Sequence, residues 1–163
     1  MDVHIGPPFL DLDQTPDIYV GIPEIDADHR QLITYYNALI QALNEGEDVT
    51  AFGLSFYSLI LRVREHFANE EWLMQDLGYP YLARHKAEHQ KLLATADDFL
   101  RSVLTRFEKY DCSAVAKYFK YWLIDHVMHH DAALAAFATD RACAQARPLF
   151  SGSRDIQRRV IGA

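Results

Sequence analysis

From Asp26 to about Ala144 the apolar positions of this chain recur at three and four residues rather than at two. That period belongs to helices with one buried face, and it leaves no strand pattern to defend. The stretch HRQLITYYNALIQAL shows it best, with Leu32, Tyr36, Leu39, Ile40 and Leu43 on one side. The first helix is expected to end at NEGED, where Gly46 provides a stop and Asp48 or Thr50 a cap for the next start. A second helix then runs from about Val49 to Asp76, with Leu59, Val63, Phe67, Leu73 and Met74 as its apolar face and Gly78 closing it. Pro80 suits the first turn of a third helix, because its missing N–H has no helical partner there. That helix ends near Phe107, and Asp111 caps a fourth that continues to about Ala144.

Four long amphipathic helices with short connections predict an all-α fold, an antiparallel up-down four-helix bundle over residues 25–144. Residues 1–24 hold four of the six prolines and read as an irregular N-terminal arm, and 145–163 as a C-terminal extension. A chain of 163 residues fits one domain whose core needs no staples. Its two cysteines, Cys112 and Cys143, fall on one helix too far apart to bond to each other, and read as small buried or half-buried hydrophobes. A net charge of −7 would repel a phosphate backbone, so no nucleic-acid partner is expected. No window approaches the length of apolar chain that spans a bilayer, and the N-terminus lacks a basic segment leading into an apolar run. The expectation is a cytoplasmic protein without membrane insertion.

The predicted helices carry an unusual set of polar residues. Helix two contains HFANE, with His66 and Glu70 four residues apart, and helix three contains HKAEH, with His85 and His89 at the same spacing. Residues at i and i+4 share a helix face, so each pair can aim two donor atoms at one point. Helix one offers His29, and helix four offers His126 with Asp131 in HVMHHD. One histidine on an apolar face is more often a hydrogen-bonded core residue than a ligand. Seven imidazoles and carboxylates converging from four helices would each need a partner or have to neutralise, and metal resolves that cost.

GIPEIDADH, HFANEEWLM, HKAEH and WLIDHVMHHD together resemble the hemerythrin family, specifically its bacterial single-domain members, over about Asp17 to Ala138. The resemblance implies two iron ions per chain in a non-haem site, oxo- or hydroxo-bridged, that binds dioxygen reversibly. It implies His85, His89 and His126 on one iron, His29 and His66 on the other, and Glu70 with Asp131 bridging. Five imidazoles, two bridging carboxylates and a shared oxygen then leave one octahedral position open, on the iron with two histidines. His126 and Asp131 lie about 140° apart on an ideal helix, so both reach the site only with splayed side chains or a local π-type widening. His130 falls between them in angle. The family pattern leaves that position unspecified, and a sixth imidazole there would fill the open position. His126 and Asp131 are the expected ligands, with His129 solvated.

Around the open position the resemblance places Leu32, Phe67, Trp122, Leu123 and Val127 as an apolar oxygen pocket, although all five would be core residues in any bundle. Glu65, Glu71 and Glu88 flank ligands and read as solvated or as outer partners. Asp28 stands where a glutamine commonly precedes the first ligand in the family, a departure. The function implied is oxygen transport, storage or buffering, with dioxygen as partner and no enzymatic role. An oxygen or redox sensor is the alternative, and a di-iron oxidase, peroxidase or nitric oxide reductase a further one. The chain contains no ExxH, the motif that ferritin-like oxidases draw from two helices.

Overall fold

The computed structural model describes residues 18–45, 48–106 and 111–146. The stop expected of Gly46, the helix end near Phe107, most of the N-terminal arm and the tail from 147 lie outside these residues. Helix α1 spans Pro23–Asn44, α2 Val49–Leu77, α3 Leu82–Arg106 and α4 Cys112–His126. Beyond α4 the chain passes without a break through one π-helical turn, Val127–Asp131, into α5, Ala132–Ala146. The last three segments together form the fourth rod of an antiparallel four-helix bundle. No strand occurs among the described residues.

Local chemistry explains where the rods begin and end. α1 starts three residues earlier than the periodicity predicts, because Pro23 fits the first helical position and its N-cap, Ile22, brings no side-chain bond. Asp26, in the first turn, ties down the chain that leads into the helix: its carboxylate accepts from the N–H groups of Val20 at 2.7 Å and Gly21 at 3.1 Å. Gly21 takes φ +87°, which only glycine adopts without strain. Asp48 caps α2 by accepting from Thr50 and Ala51, and Gly78 ends it at φ +63° with Tyr79 N–H reaching back to the Met74 carbonyl at 2.8 Å. Pro80 is not in the first turn of α3. It lies in the turn before, which Leu82 N–H closes onto the Tyr79 carbonyl. Asp111 caps α4 through Ala114 N–H, as expected.

The core is divided into two apolar layers. The larger packs Leu32, Ile33, Tyr36, Leu39 and Ile40 of α1 against Phe52, Phe56, Leu59, Ile60 and Val63 of α2, with Leu92, Val103, Phe119 and Leu123 from the other rods. The smaller joins Met74, Tyr79 and Leu134 at the opposite side of a polar layer, with Phe137 packed on it. Cys112 is buried, but Cys143 is exposed, contrary to expectation, since it lies in the last turns of α5 beyond Phe137. No helix among the described residues is long and apolar enough to cross a membrane.

Phe56 is fully buried; its ring packs edge-on with Phe119, centroids 5.1 Å apart, and tilted against Phe52, centroids 6.1 Å apart. Phe56→Ala is therefore expected to cost about 3–5 kcal/mol of unfolding free energy in urea titration. A loss below about 1 kcal/mol would show that this layer closes over the gap.

Candidate metal centre

The polar layer between the two apolar clusters contains His29, His66, Glu70, His85, His89, His126 and Asp131, none more than 2% exposed. α2 brings His66 and Glu70 on successive turns, and α3 brings His85 and His89 in the same way. α1 supplies His29 from its second turn, one turn later than expected because the helix starts earlier. The fourth rod supplies the rest through its irregularity. In the π turn Ala132 N–H bonds to the Val127 carbonyl five residues back, and the wider turn swings Asp131 toward the face of His126.

Two buried donor groups result: Glu70 with His85, His89 and His126, and Glu70 with His29, His66 and Asp131. In the first, Nε2 of His126 lies 3.2 Å from Nε2 of His85 and 3.2 Å from Nε2 of His89. Nitrogens at right angles on a metal ion about 2.1 Å away would be separated by about 3.0 Å, so the spacing suits adjacent ligand positions. Asp131 spans the two groups. Its Oδ1 is 3.2 Å from Nε2 of both His85 and His126, while its Oδ2 is 3.2 Å from Nε2 of His29. Glu70 Oε2 lies 3.1 Å from His89 Nε2 and 3.7 Å from His66 Nε2.

Outer contacts select which nitrogen of each imidazole faces inward. His29 Nδ1 donates to the Ile18 carbonyl at 2.6 Å, and His89 Nδ1 faces Glu71 Oε1 at 3.2 Å. Carbonyls and carboxylates only accept, so both rings carry hydrogen on Nδ1 and present the Nε2 lone pair to the centre. Glu71 is held in turn by Lys86 at 2.6 Å. Asp28, 7% exposed, pairs with Arg62, accepts from Asn69 Nδ2 at 2.8 Å and stands 3.7 Å from His66 Nδ1. For Glu71 the outer-partner alternative holds, and Asp28, which reads along its helix only as a departure from the family pattern, has an outer role as well. Glu71 serves the histidine of the next helix, and Asp28 crosses from α1 to α2. The visible signal was a carboxylate directly beside a ligand position.

Inside the layer, polar satisfaction fails. His29 Nε2, both oxygens of Glu70 and both oxygens of Asp131 are buried without a hydrogen-bond partner. Burial, reinforced by the nearby charge of Asp131, raises the Glu70 carboxyl well above its usual range. Burial would raise Asp131 too, but the imidazoles of His126, His29 and His85, each 3.2 Å from its oxygens, hold it well below its ordinary value. Burial opposes charge on His85, yet Asp131 and Glu70 overcome it and lift that imidazole to about 9. Burial, with the charges of His126 and His85, pushes His89 down to about 2. Unpartnered oxygens, His66 and His89 pushed toward neutrality by burial, and a His85 that draws its charge from Asp131 and Glu70 are the inventory that cations would satisfy, so these residues fit a metal site.

The remaining candidates divide. Leu32, Trp122 and Leu123 line one small apolar cavity, together with Tyr36, Leu59, Val63 and Phe119. Phe67 and Val127 are buried beside the layer but do not line that cavity; Phe67 stacks on His89 at 3.7 Å. His130 is half-buried, its ring 5.0 Å from that of His126, and belongs to neither donor group. His129 is exposed and bonded to the Asp125 carbonyl.

A family model described as the hemerythrin HHE cation binding domain matches residues 20–138. Among curated proteins, the bacteriohemerythrin of Stenotrophomonas maltophilia is 29% identical over 132 residues, covering 73% of this chain and 76% of that one. The bacteriohemerythrin of Methylococcus capsulatus is 30% identical over 102 residues, covering 63% and 76%. Among solved structures, wild-type hemerythrin superposes with a TM-score of 0.66 at 24% identity, covering 78% of this chain and 94% of that one.

Without metal, the layer makes the fold acid-sensitive. Burial lowers His66, His89 and His130 below their ordinary 6.5, so as pH falls through that value the unfolded chain takes up protons there that the folded chain resists. Glu70 opposes this by keeping its proton, and so, near pH 6.5 and above, does His85, which the folded chain holds protonated up to about 9. Below about pH 6 the unfolded imidazole of His85 is protonated as well, and three lowered histidines then stand against one raised glutamate. The metal-free protein should lose about 1.4 kcal/mol of stability per pH unit for each net proton as pH falls from 6.5, read as a lower melting temperature at pH 5 than at pH 7. A higher melting temperature at pH 5 would contradict this assignment.

Proposed function

This chain belongs to the hemerythrin family, and from that premise we propose that it binds dioxygen reversibly at a non-haem di-iron site, for oxygen transport, storage or buffering. The observation that carries the reading is the buried layer of carboxylate oxygens and imidazole nitrogens with no protein partner, gathered into two groups that share Glu70. His85, His89 and His126 would hold one iron, His29 and His66 the other, with Glu70 and Asp131 shared. The iron pair supplies the reversible electron transfer that captures and frees dioxygen.

The chain's own residues do the rest. Asp131, with one oxygen toward each group, ties the two halves of the centre together. The Ile18 carbonyl and Glu71 hold the His29 and His89 rings in their orientation. Beneath the ligands, the apolar cavity is built from residues within about two turns of His29, His66 or His126, among them Leu32, Val63, Trp122 and Leu123. Such a space accepts a small apolar gas while withholding the water and protons that would discharge reduced oxygen.

The test is metal analysis with the visible spectrum of protein loaded with ferrous iron under anaerobic conditions. Two irons per chain and a charge-transfer band that appears in air and vanishes under vacuum are expected. One zinc ion and a colourless protein in air would defeat the reading. Neighbouring variants refine it. His130→Ala should retain two irons and the band, whereas Asp131→Ala should lose iron or leave a single ion. If the parent is silent to oxygen and His130→Ala creates the band, His130 is the sixth imidazole.

A further inference from the structure

Next to the centre, on the bundle surface, is a cleft of about 280 Å³ formed where the start of α3 meets the π turn. Its polar lining comes from Tyr79, Tyr81, Arg84, His129 and His130, and the ring of His85 lies at its floor. Every one of these side chains can donate a hydrogen bond, and no acidic side chain lines the cleft, in a protein whose net charge is −7. Arg84 makes no ion pair among the described residues. His129 already engages Asp125 through Nδ1, at 3.3 Å from the carboxylate, which leaves its other nitrogen for the cleft.

The floor provides a second and independent sign. His85 is 2% exposed, and its Nδ1 is buried with no partner. Its Nε2 faces Asp131, Glu70 and His126, so Nδ1 points the other way, toward the cleft side. Two other imidazoles of the centre have an acceptor bonded behind them, His29 the Ile18 carbonyl and His89 the Glu71 carboxylate, and His66 Nδ1, though unbonded, faces the Asp28 carboxylate at 3.7 Å. An imidazole bound to metal through Nε2 is polarised, and its Nδ1–H favours an anionic acceptor. For His85 no carboxylate or carbonyl stands behind Nδ1, and the cleft over it is lined by hydrogen-bond donors and the Arg84 guanidinium.

We propose that this cleft binds a small oxyanion, a carboxylate or inorganic phosphate, with one oxygen accepting from His85 Nδ1–H and the others held by Arg84, His130 and the tyrosine hydroxyls. The inference rests on the reading of His85 as a metal ligand. An anion there completes the outer contacts of the centre in the way that Glu71 does for His89, so the oxygen site answers to the concentration of a solute. Arg84 is exposed and touches none of the seven ligands' inward atoms, which makes it the position to change.

The experiment uses full-length protein loaded with ferrous iron, with iron content and the oxygen band recorded on every sample. Inorganic phosphate is titrated while its phosphorus resonance is followed for broadening by the iron, and acetate is titrated separately through its methyl resonance. Saturable broadening of either anion is expected in the parent, weaker by about tenfold in Arg84→Gln as one charge-assisted bond is lost, and partly regained in Arg84→Lys. Which anion responds decides the class. No saturable effect from either, equal binding in Arg84→Gln, or loss of the oxygen band as the anion binds would overturn the proposal, the last because it places the anion on the metal. A parent lacking two irons would overturn the di-iron reading itself, a failure that the metal analysis separates from the others.

Discussion

Seven imidazole and carboxylate side chains face one another inside this bundle with almost no access to water, and the rest of the structure is arranged around that cost. Each desolvated polar atom without a partner is expensive, and two carboxylates cannot both stay ionised at close range without compensation. The protein offsets part of the cost itself, through the Ile18 carbonyl, Glu71 and the contacts between Asp131 and three imidazoles. It leaves the inward atoms of Glu70, Asp131 and His29 open. Apolar layers on both sides then hold the helices at a spacing that those inward atoms alone would not maintain.

The π turn is the local device that reconciles a regular bundle with an irregular requirement. Five α-helical residues separate His126 and Asp131 too widely in angle for one site, and one widened turn corrects this. The correction is confined to Val127–Asp131, so α4 and α5 pack as if they were one rod. The same turn sets His130 against the ring of His126, outside both donor groups, and turns His129 to solvent. Irregularity at this point is thus structural and chemical at once.

Much of this was legible in the sequence, because helix periodicity and i, i+4 pairs are local properties. The four rods, the caps at Asp48, Gly78 and Asp111, and the seven residues of the polar layer can all be read without coordinates. What could not be read depends on distances between helices. Glu71 sits one residue beyond Glu70 and along α2 reads equally as solvated or as an outer partner; its contact with His89 across the α2–α3 interface decides between the two. Asp28 reads as a departure from the family, and only packing shows it against Arg62 and Asn69 of the neighbouring helix. The early start of α1 rests on Pro23 at the first helical position and on Asp26 holding the preceding Val20 and Gly21, neither of which apolar periodicity records. Pro80 illustrates the reverse, since a residue suited to a first helical turn is equally suited to the turn before it.

The account depends on two metal ions sharing carboxylates within one buried layer. Diffraction from crystals of the iron-loaded protein, collected on either side of the iron absorption edge, tests that most directly. The account predicts two anomalous peaks per chain about 3.5–4 Å apart, one amid His85, His89 and His126 and the other beside His29 and His66, with Asp131 between them. A single peak, or peaks on the surface with the polar layer empty, would contradict it.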